Sequence, residues 1–179
     1  MRFYARYCDD LVFTPTLSSF PLHLPNVRVV GHGIDTELFR PQATTTPSRD
    51  LVAVGRIAPI KHLDVALDLL RTCRATWGMA STLDIVGPCQ GQGCRLPPPP
   101  RTSRPGVRSD SGRSFLGSVT HDELPELLGH YRVSINLSDT AFDKAAGESM
   151  AVGVPVVTTN DCTTEMLPVE LRSLLAATP

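Results

Sequence analysis

Two cations, Arg56 and Lys61, follow Gly55 at the end of a short apolar run, and a carboxylate, Glu148, lies far along the chain in a stretch of small residues. In open α/β sheets ligands bind beyond the carboxyl ends of the strands, where helix N-termini present free amides, so two cations at such a turn make a diphosphate site. The same pair also reads as solvated loop charges, because strand-to-helix connections are usually polar. An ionised Glu148 offers two acceptor oxygens and could grip two adjacent hydroxyls, as on a ribose. It reads equally as a solvated helix residue, and spacing settles neither case.

The other reactive side chains suggest less. Cys89 and Cys94 form a C-x-x-x-x-C without a second ligand pair, and His23, His32, His62, His121 and His130 are scattered without ligand spacing. Zinc is therefore not expected, and the histidines read as surface or packing residues. Five cysteines, an odd number without a repeating frame, point to reduced thiols rather than a disulfide scaffold.

Positioning Arg56, Lys61 and Glu148 requires strands that end where they begin. Short apolar runs at Val27 to Val30, Leu51 to Val54, Leu83 to Val86, Val133 to Leu137 and Val154 to Thr158 alternate with helix-like stretches. Several are apolar on both faces, as in a parallel sheet covered by helices on each side, so the class is doubly wound α/β. Ile60, Leu63, Ala66, Leu67 and Leu70 fall on one helical stripe. Thr120 and Glu123 have capping-box spacing before Leu124, Leu127 and Leu128, with Pro125 pushing the helix start a residue or two onward. A further helix is predicted from Lys144 to Val152, stopping at Gly153 before Pro155. Residues 88–112, with four consecutive prolines from Pro97 to Pro100 and several arginines, read as an extended loop. Those arginines lack interleaved aromatics, which favours a solvated linker over nucleic-acid contact.

Composition bounds the rest. A chain of 179 residues holds one α/β domain with a proper core but not two of that size. Hydrophobic residues at 41% and charged residues at 20% exclude a disordered chain. A formal charge of −1 leaves no global field for nucleic acid or an anionic membrane, so any anion must be held locally. The apolar runs are strand-sized, which excludes a membrane-spanning helix, and the N-terminal residues lack a signal-type apolar core. A soluble, cytoplasmic protein is the expectation.

Five segments in order, "VGHGIDTELFRP" (Val30 to Pro41), "VGRIAPIKHLDVALDLL" (Val54 to Leu70), "LDIVGP" (Leu83 to Pro88), "SFLGSVTHDELPELL" (Ser114 to Leu128) and "ESMAVGVPVVTTN" (Glu148 to Asn160), resemble landmarks of the C-terminal domain of family 4 retaining glycosyltransferases. The resemblance implies a Rossmann-like doubly wound sheet, the C-terminal half of a GT-B fold. It implies that residues 1–35 are a remnant of the N-terminal acceptor domain plus the interdomain crossover, and that residues 36–179 bind the nucleotide sugar. It further implies that Gly55, Arg56 and Lys61 hold the donor diphosphate, that Glu148 binds the ribose, and that Phe142, Asp143 and Lys144 lie against the sugar and diphosphate. Gly117 and Val119 fall where the family's backbone reads the base. The implied activity is retaining, metal-independent transfer of hexosyl type from a nucleotide diphosphate sugar such as a UDP- or GDP-sugar, without cofactor. The acceptor site, and any peripheral membrane contact, would belong to the missing domain, so the isolated chain is expected to be inactive.

Three departures bear on this. Thr140 stands eight residues before Glu148, where the family has a second glutamate on the donor sugar, and a hydroxyl does not replace that charge. Gly147 takes a position that is usually larger, at a helix cost of roughly 1 kcal/mol against Ala. The 88–112 insertion replaces a helix, which would leave a sheet face poorly covered. The alternative is a non-catalytic nucleotide-binding module derived from such an enzyme. An epimerase is disfavoured because no acid and histidine set for proton abstraction is assignable. A dinucleotide oxidoreductase is disfavoured because no G-x-G-x-x-G follows the first strand.

Overall fold

The computed structural model describes residues 2–20, 22–41, 46–78, 81–88, 112–139 and 141–172. Thr140, Cys89, Cys94 and nearly all of the Pro/Arg-rich insertion lie outside the described residues. In chain order come α1 (Arg2–Tyr7), β1 (Val12–Thr14), β2 (Val27–Val29), β3 (Arg49–Val54), a 3-10 turn (Pro59–Lys61), α2 (Leu63–Trp77) and β4 (Leu83–Val86). There follow β5 (Arg113–Gly117), α3 (Leu124–Gly129), β6 (Tyr131–Asn136), α4 (Lys144–Ala151), β7 (Val156–Thr158), α5 (Asp161–Met166) and α6 (Val169–Arg172).

Strands β5-β4-β3-β6-β7 form a five-stranded, wholly parallel sheet. Its register sets Leu51 beside Leu83 on one side and Val133 on the other. Alternation along each strand divides the core in two. Ala53, Leu83, Ile85, Ile135 and Leu137 pack with Ala66 and Leu70 of α2 on one face. On the other, Val52, Val86 and Tyr131 pack with Leu124 and Leu128 of α3 and with Val152, Val154 and Phe39. Burial of each large aliphatic chain stabilises the fold by roughly 1.5–3 kcal/mol, so helices on both faces are needed to keep this sheet dry. The chain leaves β3 toward β4 and β5, then returns to the opposite side for β6 and β7. The C-terminal ends of β3 and β6 therefore flank the switch point, where connections diverge to opposite faces and leave a crevice. The expected doubly wound Rossmann-like class is the observed one.

Local differences have local causes. His62 adopts a left-handed conformation, with φ of 45°, so the helical stripe starts at Leu63 and Ile60 stays exposed on the preceding turn. The α3 helix starts at Leu124, later than its capping signal, with Pro125 in its first turn. Thr120 still donates its hydroxyl (2.7 Å) and amide (3.3 Å) to the Glu123 carboxylate. Strand β5 and the short helices α5 and α6 are additional to the elements read from sequence.

A polar network sits inside the sheet at its other end. Asp84, in the buried strand β4, accepts from the Tyr131 hydroxyl (2.7 Å) and from Arg49 Nη1 (2.5 Å). Burial, and then the neighbouring Asp84 carboxylate, push the Tyr131 phenol upward. It stays protonated and donates to Asp84.

Residues before Gly31 form a separate parallel pair, β1 with β2, and expose Phe3, Tyr4, Tyr7 and Phe13. They meet the main body through Ser18, which donates its hydroxyl and its amide to Glu165, and through Ser19, within 3.4 Å of the Cys162 thiol. Among the described residues, no helix is long and apolar enough to cross a membrane.

Candidate functional site

Three loops leave the C-terminal ends of β3, β4 and β5 and are stitched together by backbone. The Gly55 amide donates to Val86 O (2.9 Å), Ile57 to Pro88 O (2.9 Å), and Gly87 to Gly117 O (2.7 Å). Glycine is needed at Gly87, where φ is +145° and a β-carbon would lie 2.0 Å from the Gly55 carbonyl oxygen. This contact aims the Gly55 turn. Gly55 is itself bare because Lys61 folds over it, with the ammonium 3.4 Å from where a β-carbon would sit.

From the other side of the switch point, Asp143 caps α4 by accepting from Ala145 N (3.4 Å). Its second oxygen pairs with the Lys61 ammonium and accepts from Asn136 Nδ2 at 2.7 Å. Both members of the ion pair are largely shielded, with side chains 16% and 11% exposed. A second bridge spans the same gap, from His62 Nε2 to Asp139 Oδ2 at 2.9 Å. That bond raises the pKa of His62 and lowers that of Asp139.

Glu148 is buried on the next turn of α4. Its carboxylate lies 3.7 Å from Lys144 Nζ and 3.9 Å from His121 Nδ1, the latter carried by the β5–α3 loop. Burial raises its pKa, and the two basic neighbours oppose the shift without cancelling it. His121 in turn lies against Phe39, with ring centroids 4.9 Å apart. Phe142 meets His32 edge-on at 5.4 Å, and its amide approaches Ser19 Oγ at 3.5 Å.

Arg56, Lys61, Asp143, Lys144 and Glu148 thus come to one end of the sheet on loops that flank the switch point. Arg56 is exposed there. Gly117 has its carbonyl engaged by Gly87, with φ of +75°, and Val119 packs against the α3 face of the core. Val119 also lines a cavity of about 650 Å³ beside α3, together with Arg49, Ser118 and His130. That cavity contains none of Arg56, Lys61 or Glu148, so it is a space separate from the crevice.

Asn136, His62, Asp139 and His121 were not singled out from sequence for this site. Asn136 is the last residue of a strand that reads as apolar, and the histidines lack any spacing signal. Proximity of loops far apart in the chain is what recruits them.

Solved structures share this fold. The chain resembles the Anabaena protein HepE in complex with UDP-glucose, with a TM-score of 0.70 at 18% identity, covering 92% of this chain and 49% of that one. It also resembles the C-terminal domain of LpcC, a glycosyl transferase group 1 family protein from Francisella tularensis, with a TM-score of 0.54 at 16% identity and 70% coverage of both chains. Sucrose-phosphate synthase from Thermosynechococcus elongatus gives a TM-score of 0.57 at 19% identity, covering 83% of this chain and 39% of that one. The chain therefore spans about half the length of HepE. No curated protein sequence matches it. Residues 48–177 match the family model for Glycosyl transferases group 1, a span that takes in both the Lys61 loop and α4; with the Rossmann-like half of a GT-B fold in place, the chain belongs to that glycosyltransferase family.

Proposed function

We propose that the chain is the donor-binding half of a retaining, metal-independent, hexosyl-type glycosyltransferase, taking a nucleotide diphosphate sugar. Residues 1–35 would be the end of an acceptor-binding domain and the crossover. Arg56 and Lys61 would neutralise the charge that grows on the departing diphosphate, a preorganised electrostatic role that a divalent ion fills in other enzymes. Glu148 would take the ribose hydroxyls, and Phe142 and Lys144 would border the sugar end, with Gly117 and Val119 nearest the base. The carrying observation is the Lys61 ammonium, seated over bare Gly55 and facing the start of the helix that holds Glu148. HepE holds UDP-glucose, which makes uridine nucleotides the first ligands to try.

The test is calorimetry of the 179-residue chain with UDP, GDP and their sugar conjugates in the presence of a chelator. Binding without metal, altered by the sugar as well as the base, is the expected result. No heat with any of them would sink the proposal. The isolated chain should not transfer sugar, because bringing donor and acceptor together is a major part of catalysis and the acceptor side is missing.

One observation favours a second reading, a nucleotide-binding module without catalysis: the Lys61 charge is already matched by Asp143. A response to nucleotide that ignores the sugar would select it. A cytoplasmic location suits either reading.

A further inference from the structure

We propose that Asp143 is a built-in counterion: its carboxylate, fixed by Asn136 and by the first turn of α4, occupies the Lys61 ammonium until the diphosphate of an incoming nucleotide takes that ammonium over. This rests on the donor-binding reading and changes the part Asp143 plays in it, from sugar contact to competitor.

The carboxylate is the fixed member. One oxygen accepts from Ala145 N (3.4 Å) and the other from Asn136 Nδ2 (2.7 Å). Asn136 is only 5% exposed, and among the described residues its own Oδ1 is buried without a hydrogen-bond partner. A carboxylate can only accept, so the Asn136 amide must turn its NH₂ toward Asp143 and leave its oxygen unpaired. Leaving a buried acceptor unmade is costly, and the charge-assisted bond to Asp143 is what offsets it. The asparagine is thus committed to holding that carboxylate.

The ammonium is the movable member. Lys61 carries it on a flexible four-carbon stem at the end of a 3-10 turn, and Gly55 beneath it has no side chain to block a swing. An anion arriving between Arg56 and α4 would meet a positive Lys61 and a negative Asp143 in contact. It would also meet a helix start whose first amides are already engaged by Asp143, through Ala145 N to its side chain and Ala146 N to its carbonyl (3.0 Å). Binding is therefore an exchange of one anion for another on Lys61. A diphosphate, with more charge to offer than a monophosphate, wins that exchange more readily, so Asp143 would make the site selective for nucleoside diphosphates.

The substitution Asp143→Asn tests this, because asparagine caps helices as well as aspartate, and its NH₂ can donate to the Asn136 oxygen once the Asn136 amide turns over. Calorimetry with UDP and UMP is expected to show tighter binding by the variant, roughly three- to tenfold, with the larger gain for UMP. Lys61→Ala in the variant background should abolish the gain. Acetylation of Lys61 by an amine-directed reagent, followed by mass spectrometry, should run faster in the variant without nucleotide. If the native chain binds UDP and the variant binds it no better, the counterion proposal is overturned while the donor-binding reading stands. If neither chain binds UDP, GDP or their sugar conjugates although Lys61 acetylation quickens in the variant, the donor-binding reading fails and takes the exchange with it.

Discussion

Gly147 faces Phe142 so closely that a β-carbon on the glycine would lie 2.8 Å from Phe142 Cζ, and 2.9 Å from Ile34 Cδ1. The glycine inside α4 leaves room for both side-chain ends, so the loop carrying Phe142 and the segment after Gly31 close onto the helix that bears Glu148.

A Gly147→Ala substitution consequently runs against helix propensity. Alanine would add roughly 1 kcal/mol of helix preference, whereas overpacking at such a contact costs about 1–3 kcal/mol. A net loss of about 1 kcal/mol is expected from urea unfolding, where a gain would show that Phe142 and Ile34 yield freely.

Gly87→Ala should be far worse. The β-carbon would meet backbone, 2.0 Å from the Gly55 carbonyl oxygen, at a φ of +145°, and both turns are held by ladder bonds that resist a shift. A loss of at least about 3 kcal/mol is expected. Unfolding within 1 kcal/mol of the native chain, on the order of an ordinary surface change, would mean the Gly55 turn is not held as described.

Glu148→Gln separates stability from binding. Burial raises the folded-state pKa of Glu148 above its ordinary 4.5, so the folded chain keeps this proton to higher pH than the unfolded chain does. The carboxyl's contribution is then most favourable below that ordinary value and declines as pH rises through the folded-state value. The glutamine variant should melt a few degrees higher than the native chain at neutral pH, and the difference should close in acid. If Glu148 holds a ribose, the same variant should lose about tenfold in nucleotide affinity. A melting point that falls at neutral pH would contradict the first half, and unchanged affinity the second.

Arg56→Ala with Lys61→Ala addresses the diphosphate. Loss of two charge-assisted contacts is expected to weaken UDP binding by at least about tenfold. Arg56→Ala alone should leave unfolding nearly unchanged because Arg56 is exposed, whereas removing Lys61 leaves the shielded Asp143 carboxylate unpaired and lowers stability. Affinity equal to that of the native chain removes the pair from the site.

Much of the frame was legible before any coordinates. Apolar runs mark β3, β4 and β6, the Gly153 stop marks the end of α4, and the turn after Gly55 marks the cationic loop, because each depends on neighbours within a few residues. Strand β5 was missed: all five of its residues are half-buried, so it shows neither a continuous apolar run nor clean alternation. Helix α5 was missed because it is short and held by Asn160, which caps it while donating to Ser138 O at 2.6 Å. Its cause lies elsewhere in the fold.

The site divides the same way. Local pattern was enough to nominate Gly55, Arg56, Lys61 and Glu148, since turn, charge and helix position are written in short stretches. That Lys61 meets Asp143, a partner 82 residues away, that Asn136 fixes the carboxylate, and that His121 borders Glu148 follow only from the strand order. A parallel sheet whose chain reverses direction at β3 brings those loops together, and no spacing along the sequence records which loops will face each other across the crevice.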